Sequence, residues 1–207
     1  MPLGYIVVGQ QVGRQTEDNF TAGQNANGRI NSPGGMLTLA NTATGVALAS
    51  QGTNTTAVAG QWWITDFWVP VNRILSNLNY LSGGTATTSL CITAIWDSYG
   101  RLLASSKVAG TLVATTNVFQ VLPIALVSAQ PGVAGVAGTS LKLYGPQQYF
   151  IGVQTNDTTA GCLQTIPIAG NFPNATKLLA GTFGTVPVTI TVPVTQVDVV
   201  GPFIQLT

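Results

Sequence analysis

The chain has 207 residues, of which 7 are Lys or Arg and 6 are Asp or Glu, a charged fraction of 6% against roughly 25% in an average soluble domain. It contains no histidine, which excludes Ser-His-Asp and Cys-His catalysis and histidine metal ligands, and its net charge of +1 lacks the basic footprint of a nucleic-acid-binding protein. With 45% hydrophobic residues a core can form, while a surface this poor in charge predicts cover by other subunits.

Residues 1–60 are rich in Gly, Gln, Asn, Thr and Ala, and their apolar residues come in ones and twos. This composition predicts an extended N-terminal arm, with short strand patches at Met36–Leu39 and Gly45–Ala49. Its charges, Arg14, Arg29, Glu17 and Asp18, cancel. Met1 to Gly13 has no Lys or Arg and only a short apolar run, so no secretory signal is expected. The uncharged stretches Ile30–Thr65 and Val108–Leu141 are too interrupted by Gly, Pro, Asn and Gln for a membrane helix.

From Gln61 to Thr207 the pattern is that of strands. Gln61–Pro70 (QWWITDFWVP) carries large residues on both faces: Trp62, Ile64, Asp66 and Trp68 on one, Trp63, Thr65, Phe67 and Val69 on the other. In an outer strand only one of these faces meets the core, so the other is expected to meet the arm, another subunit or a ligand. Arg73–Leu81 alternates, with Ile74, Leu78 and Tyr80 together. Ser89–Trp96 puts Leu90, Ile92, Ala94 and Trp96 on one face, and Asp97–Gly100 reads as a hairpin turn with Gly100 at positive φ. Arg101–Ser106 and Val118–Leu126 are further strands, Ser128–Ser140 is a Gly-rich loop, and Gln148–Thr155 is a strand with Tyr149, Ile151 and Val153 together. Asn174–Ala180 supports one helical turn at most. Thr185–Val194 is β-branched but holds Pro187 and Pro193, which confine it to a sheet edge or to exchange with a neighbour. Phe203–Leu206 is the last strand. Turn-punctuated strands without a sustained helical period predict an all-β, antiparallel, jelly-roll-like β-sandwich over 61–207.

The chemistry-bearing residues are few. Asp66 and Asp97 are the nearest approach to a carboxylate pair, but each has a simpler account: Asp97 as a turn residue bonding local N–H groups, Asp66 as the partner of Arg73 or Arg101. Thr155–Thr159 is an oxygen-rich loop around Asp157, too small a set for a convincing calcium site. Cys91 and Cys162 lie in apolar stretches and read as two buried thiols, with a single disulfide as the alternative. Nothing here supports catalysis, a metal or a cofactor. The aromatic strand is the strongest signal. It reads as a protein interface involving Trp62, Trp63, Phe67 and Trp68, with Pro187 and Pro193 on the exchanged strand, or as a stacking platform for sugar rings.

The stretches WWITDFWVPVNRILSNLNYLSG, SLCITAIWDSYGRLLASS and GPQQYFIGVQTND, with the ending GTFGTVPVTITVP and VGPFIQL, resemble a module of tailed-phage virion proteins. The resemblance covers residues 60–207 and not the arm. It implies a jelly-roll-like protein of the virion surface: a capsid decoration or cement protein contacting the major capsid protein or other virion proteins, or a receptor-binding part of a fibre that meets a host-surface glycan. An arm followed by a jelly roll is also similar to the shell proteins of small RNA viruses. Their arms are basic, and the zero net charge of this one argues against RNA packaging. The expected state is a homo-oligomer, a trimer, without nucleic-acid or membrane partners.

Overall fold

The computed structural model describes residues 53–69, 71–85, 89–112, 115–156, 158, 163–166, 176–192, 201–202 and 204–207; the strand patches expected in the arm, Cys162 and Pro193 lie outside them. These residues form strands and no helix, so none is long and apolar enough to cross a membrane. The strands are β1 (Thr53–Thr55), β2 (Trp62–Val69), β3 (Arg73–Leu75), β4 (Leu78–Leu81), β5 (Leu90–Trp96), β6 (Leu102–Ser106), β7 (Thr111–Leu112), β8 (Phe119–Gln120), β9 (Ile124–Val127), β10 (Val136–Ala137), β11 (Leu141–Leu143), β12 (Gln147–Thr155), β13 (Leu163–Ile166), β14 (Thr176–Leu179), β15 (Gly201–Pro202) and β16 (Ile204–Leu206).

All the pairings between these strands are antiparallel. The principal sheet runs β10-β9-β6-β5-β12-β2-β14, with β7 alongside β5. Within it β12, β5, β6 and β9 stand in the spatial order 4-1-2-3 of a Greek key, the unit from which jelly rolls are built. The opposing layer consists of β16-β4-β8 and β11-β3, and a third small sheet is β1-β13-β15. The core between the layers takes Trp63, Phe67 and Val69 from β2, Cys91 and Ile95 from β5, Tyr149, Ile151 and Val153 from β12, and Leu75, Leu78, Tyr80, Leu143 and Ile204 from the facing strands. The layers are also tied by polar contacts: Thr93 Oγ1 donates to the Leu78 carbonyl at 3.0 Å, and the Tyr80 hydroxyl lies 3.0 Å from Cys91 Sγ. The chain is thus an antiparallel β-sandwich, as its strand pattern predicts.

Several elements depart from the reading of the sequence. Arg73–Leu81 is two strands, because the N–H groups of Ser76 and Asn77 both donate to the Thr207 carbonyl, at 2.7 and 2.8 Å, and Asn77 bridges to Pro123. The break shifts the side-chain phase, so Leu75 joins Leu78 and Tyr80 inside while Ile74 is 72% exposed. Val118–Leu126 likewise divides: β8 pairs with β4 in the second layer, and β9 pairs with β6 in the principal sheet, with Pro123 between them. The segment expected to make a helical turn contains instead β14, paired with β2 as Thr176↔Thr65 through Leu179↔Trp62. An open strand edge offers backbone partners that a short isolated turn cannot match, and tertiary pairing overrides local propensity.

The last part of the expected arm is integrated with the sandwich. β1 pairs with β13, Ala57 is buried in the core, Gly60 N–H donates to the Thr155 carbonyl at 2.8 Å, and Gln154 Nε2 donates to the Gly60 carbonyl at 2.7 Å.

Candidate functional site

β2 pairs with β12 on one side and β14 on the other, which makes it an interior strand of its sheet. Strands covered on both faces read as continuous apolar runs, and this explains WWITDFWV. Trp63 and Phe67 enter the sandwich core; Phe67 stacks on Tyr149 with ring centroids 5.8 Å apart. Trp62 and Ile64 enter a second cluster on the opposite face, with Ile92, Ala94 and Trp96 of β5, Leu102 and Phe150.

That second face is covered by the chain's own residues. Leu179, Phe183, Val186, Ile190 and Val192 pack on it. The Trp62 indole N–H donates to the Thr185 carbonyl at 3.2 Å and the Trp96 indole N–H to the Pro187 carbonyl at 2.9 Å. Between the two indoles lies Gly152, where a Cβ would come within 3.1 Å of Trp96 and 3.2 Å of Trp62; its absence lets the rings meet edge to face at 5.5 Å. The segment expected as an edge or exchanged strand is therefore an irregular cover on its own sheet. Its ladder contact is the bridge Thr189↔Arg101, flanked by Leu102 N–H to the Val188 carbonyl and Ile190 N–H to the Gly100 carbonyl, both at 2.8 Å. The second face of β2, expected to meet the arm, another subunit or a ligand, meets residues 179–192 of this chain instead, and Trp62, Trp63 and Phe67, read as interface residues, are buried within it. Pro187 is half-buried in the cover, and Pro193 lies outside the described residues.

Trp68 is different: it is 50% exposed. The β2–β12 register sets Gln148 directly opposite Trp68 and Phe150 opposite Asp66, so Asp66, Trp68 and Gln148 share one face. Gln148 Nε2 donates to Asp66 Oδ2 at 2.8 Å. Of the two cations expected beside Asp66, Arg101 is held elsewhere. Its guanidinium contacts Asp97 Oδ2 at 2.7 Å through both Nε and Nη2, while Asp97 Oδ1 accepts the N–H groups of Tyr99 and Arg101 at 2.9 Å each. Asp97 thus organises the β5–β6 turn, and Gly100 adopts φ 79° as that turn requires. A side chain at Gly100 would also strike the Ile190 carbonyl.

Three connections meet at this end of the sandwich: the one after β2, the β5–β6 turn and the β11–β12 loop. Gly145 N–H donates to Asn72 Oδ1 at 3.1 Å, and Gln147 Nε2 donates to Ser98 Oγ at 3.3 Å. Tyr149 anchors the last loop, its hydroxyl donating to the Tyr144 carbonyl and accepting the Tyr144 N–H, both at 2.9 Å. Burial raises the Tyr149 phenol above its ordinary pKa; the Tyr144 backbone hydrogen bond opposes this, and the charges of Asp97 and Tyr144 add to it. Tyr99 and Tyr144 are exposed here, the first under the Arg101 guanidinium at 5.0 Å and the second under Lys142 Nζ at 4.9 Å.

Asp66 and Asp97 lie on opposite sides of β12, since Phe150 pairs with Asp66 on one flank and Trp96 on the other. Asn156, in the oxygen-rich loop, has its Oδ1 engaged by Leu90 N–H at 2.7 Å. Among the described residues no three His, Cys, Asp or Glu gather as metal ligands. Sequence reasoning singled out Trp68 but missed Gln148 beside it. The available signal is the polar pair Gln147-Gln148 that opens the strand, and only the register shows which residue it faces. No family model, curated protein or solved structure matches this chain.

Proposed function

We propose that this chain is a structural protein of a phage virion surface, a trimeric capsid decoration or cement protein that holds the head lattice through its arm and its subunit contacts. The observation that carries this reading is the surface. Ile74, Leu112, Val121, Val133 and Val136 are exposed on a sandwich whose sequence is only 6% charged, and such apolar surface is suited to burial between subunits. The resemblance of its strand-and-turn pattern to tailed-phage virion modules points the same way. Identical chains with such surfaces close most readily into symmetric rings.

The test is stoichiometry. Quantitative mass spectrometry of purified particles carrying this protein should find it at a copy number comparable with the capsid lattice, and light scattering of the isolated protein should give a trimer. A few copies per particle would favour the fibre-tip alternative, and a monomer at micromolar concentration would remove the oligomer from the reading.

A further inference from the structure

We propose that Trp68, Gln148 and Asp66 form a binding platform for a neutral pyranose oligosaccharide, independently of whether the protein decorates a capsid. Trp68 is the large ring on its strand that the fold leaves uncovered: Trp62, Trp63 and Phe67 are buried, while Trp68 is 50% exposed. Its neighbours on the same face are polar. Gln148 stands directly across the ladder, at the roughly 5 Å Cβ spacing of a cross-strand pair. Asp66 is two residues along the strand, about 7 Å away. The Gln148–Asp66 hydrogen bond at 2.8 Å fixes the amide and leaves its carbonyl oxygen and second N–H for a ligand.

A pyranose ring has an apolar face of C–H groups and a rim of hydroxyls. Stacked on the indole, it would meet the apolar surface with that face and present its rim to a donor and acceptors at hydrogen-bonding reach. The platform is rigid, because it sits on paired strands rather than on a loop. The carboxylate of Asp66 beside the ring adds no attraction for anionic sugars; Arg101 is engaged by Asp97 at 2.7 Å, and Lys177, opposite Ile64 on the same face, donates to the Thr191 carbonyl at 3.3 Å.

The experiment uses the full chain against immobilised neutral gluco-, manno-, galacto- and N-acetylglucosamine oligosaccharides, with sialylated and sulfated oligosaccharides as anionic probes, followed by calorimetric titration of any probe retained. Binding to a neutral probe is expected, weakened about tenfold or more in Trp68→Ala and in Gln148→Ala and largely kept in Trp68→Phe. Trp68→Phe also keeps the test valid if the alanine variant is poorly folded, since it retains a stacking ring. The proposal is overturned if no neutral probe binds, if binding survives Trp68→Ala, or if anionic probes bind more tightly than neutral ones. Loss of self-association in Trp68→Ala without sugar binding by the parent protein would assign the ring to a subunit contact and overturn it as well.

Discussion

Trp62 and Trp63 are chain neighbours with opposite fates at the indole nitrogen. The Trp62 N–H is satisfied by the Thr185 carbonyl, whereas the buried Trp63 Nε1 finds no partner among the described residues. Replacement by Phe removes a similar volume at each position, so the hydrogen bond decides the difference. Trp62→Phe strands a carbonyl as well as opening a cavity and should cost about 2–4 kcal/mol. Trp63→Phe sheds an unpaired N–H and should cost about 1 kcal/mol or more less than that. Urea unfolding of the two variants checks this, and equal losses would refute it. Tyr149 gives a second residue-scale prediction. Burial holds its phenol above the ordinary value of 10.0. The folded state therefore keeps this proton more tightly than the unfolded chain. The stability linked to it is complete below pH 10 and is lost as the pH rises through the unfolded value toward the folded one. Melting temperatures measured across the alkaline range should fall more steeply for the parent protein than for Tyr149→Phe.

At the scale of elements, residues 183–192 do what a strand would otherwise do, without a ladder. They shield Trp62 and Trp96 with Phe183, Val186, Ile190 and Val192, and they offer two carbonyls to the indoles. An irregular segment suits this place because Pro187 has no N–H to give a ladder, while its carbonyl remains available. Replacing Ile190 with Asp sets a charge in an apolar layer. It should lift the cover, shift tryptophan fluorescence to the red, and lower stability by about 3 kcal/mol or more, measured by denaturant titration. Unchanged fluorescence would show that this segment contributes little to the second cluster.

For the whole molecule, the boundary of the folded unit lies before Gly60. A chain starting at Thr53 keeps β1 on β13, Ala57 in the core and the hydrogen bonds joining Gly60 to Thr155 and Gln154; a chain starting at Gln61 loses them all. The shorter chain should unfold at a measurably lower urea concentration, by about 2–4 kcal/mol, with part of that from leaving Gln154 buried without its Gly60 partner. Its Oε1 already has no partner among the described residues. Identical unfolding midpoints would restore Gly60 as the boundary.

In β5 the face read from the sequence, Ile92, Ala94 and Trp96, lies in the second cluster, while Cys91 and Ile95 enter the sandwich core. The all-β class, the Asp97–Gly100 turn and the inward face of β12 follow from the sequence alone. Each is a local signal: period-two alternation, a turn residue whose carboxylate reaches N–H groups two and four residues on, and a glycine at positive φ. What covers the second face of β2, why 73–81 breaks in two, and why 176–179 is a strand were decided by tertiary structure. The alternation of a strand is the same whichever neighbour it has, and here the neighbours come from far along the chain: Trp62 finds Thr185, Ser76 finds Thr207, Trp68 finds Gln148. The continuous apolar run of β2 therefore announced two covered faces without saying that the second cover belonged to the same chain.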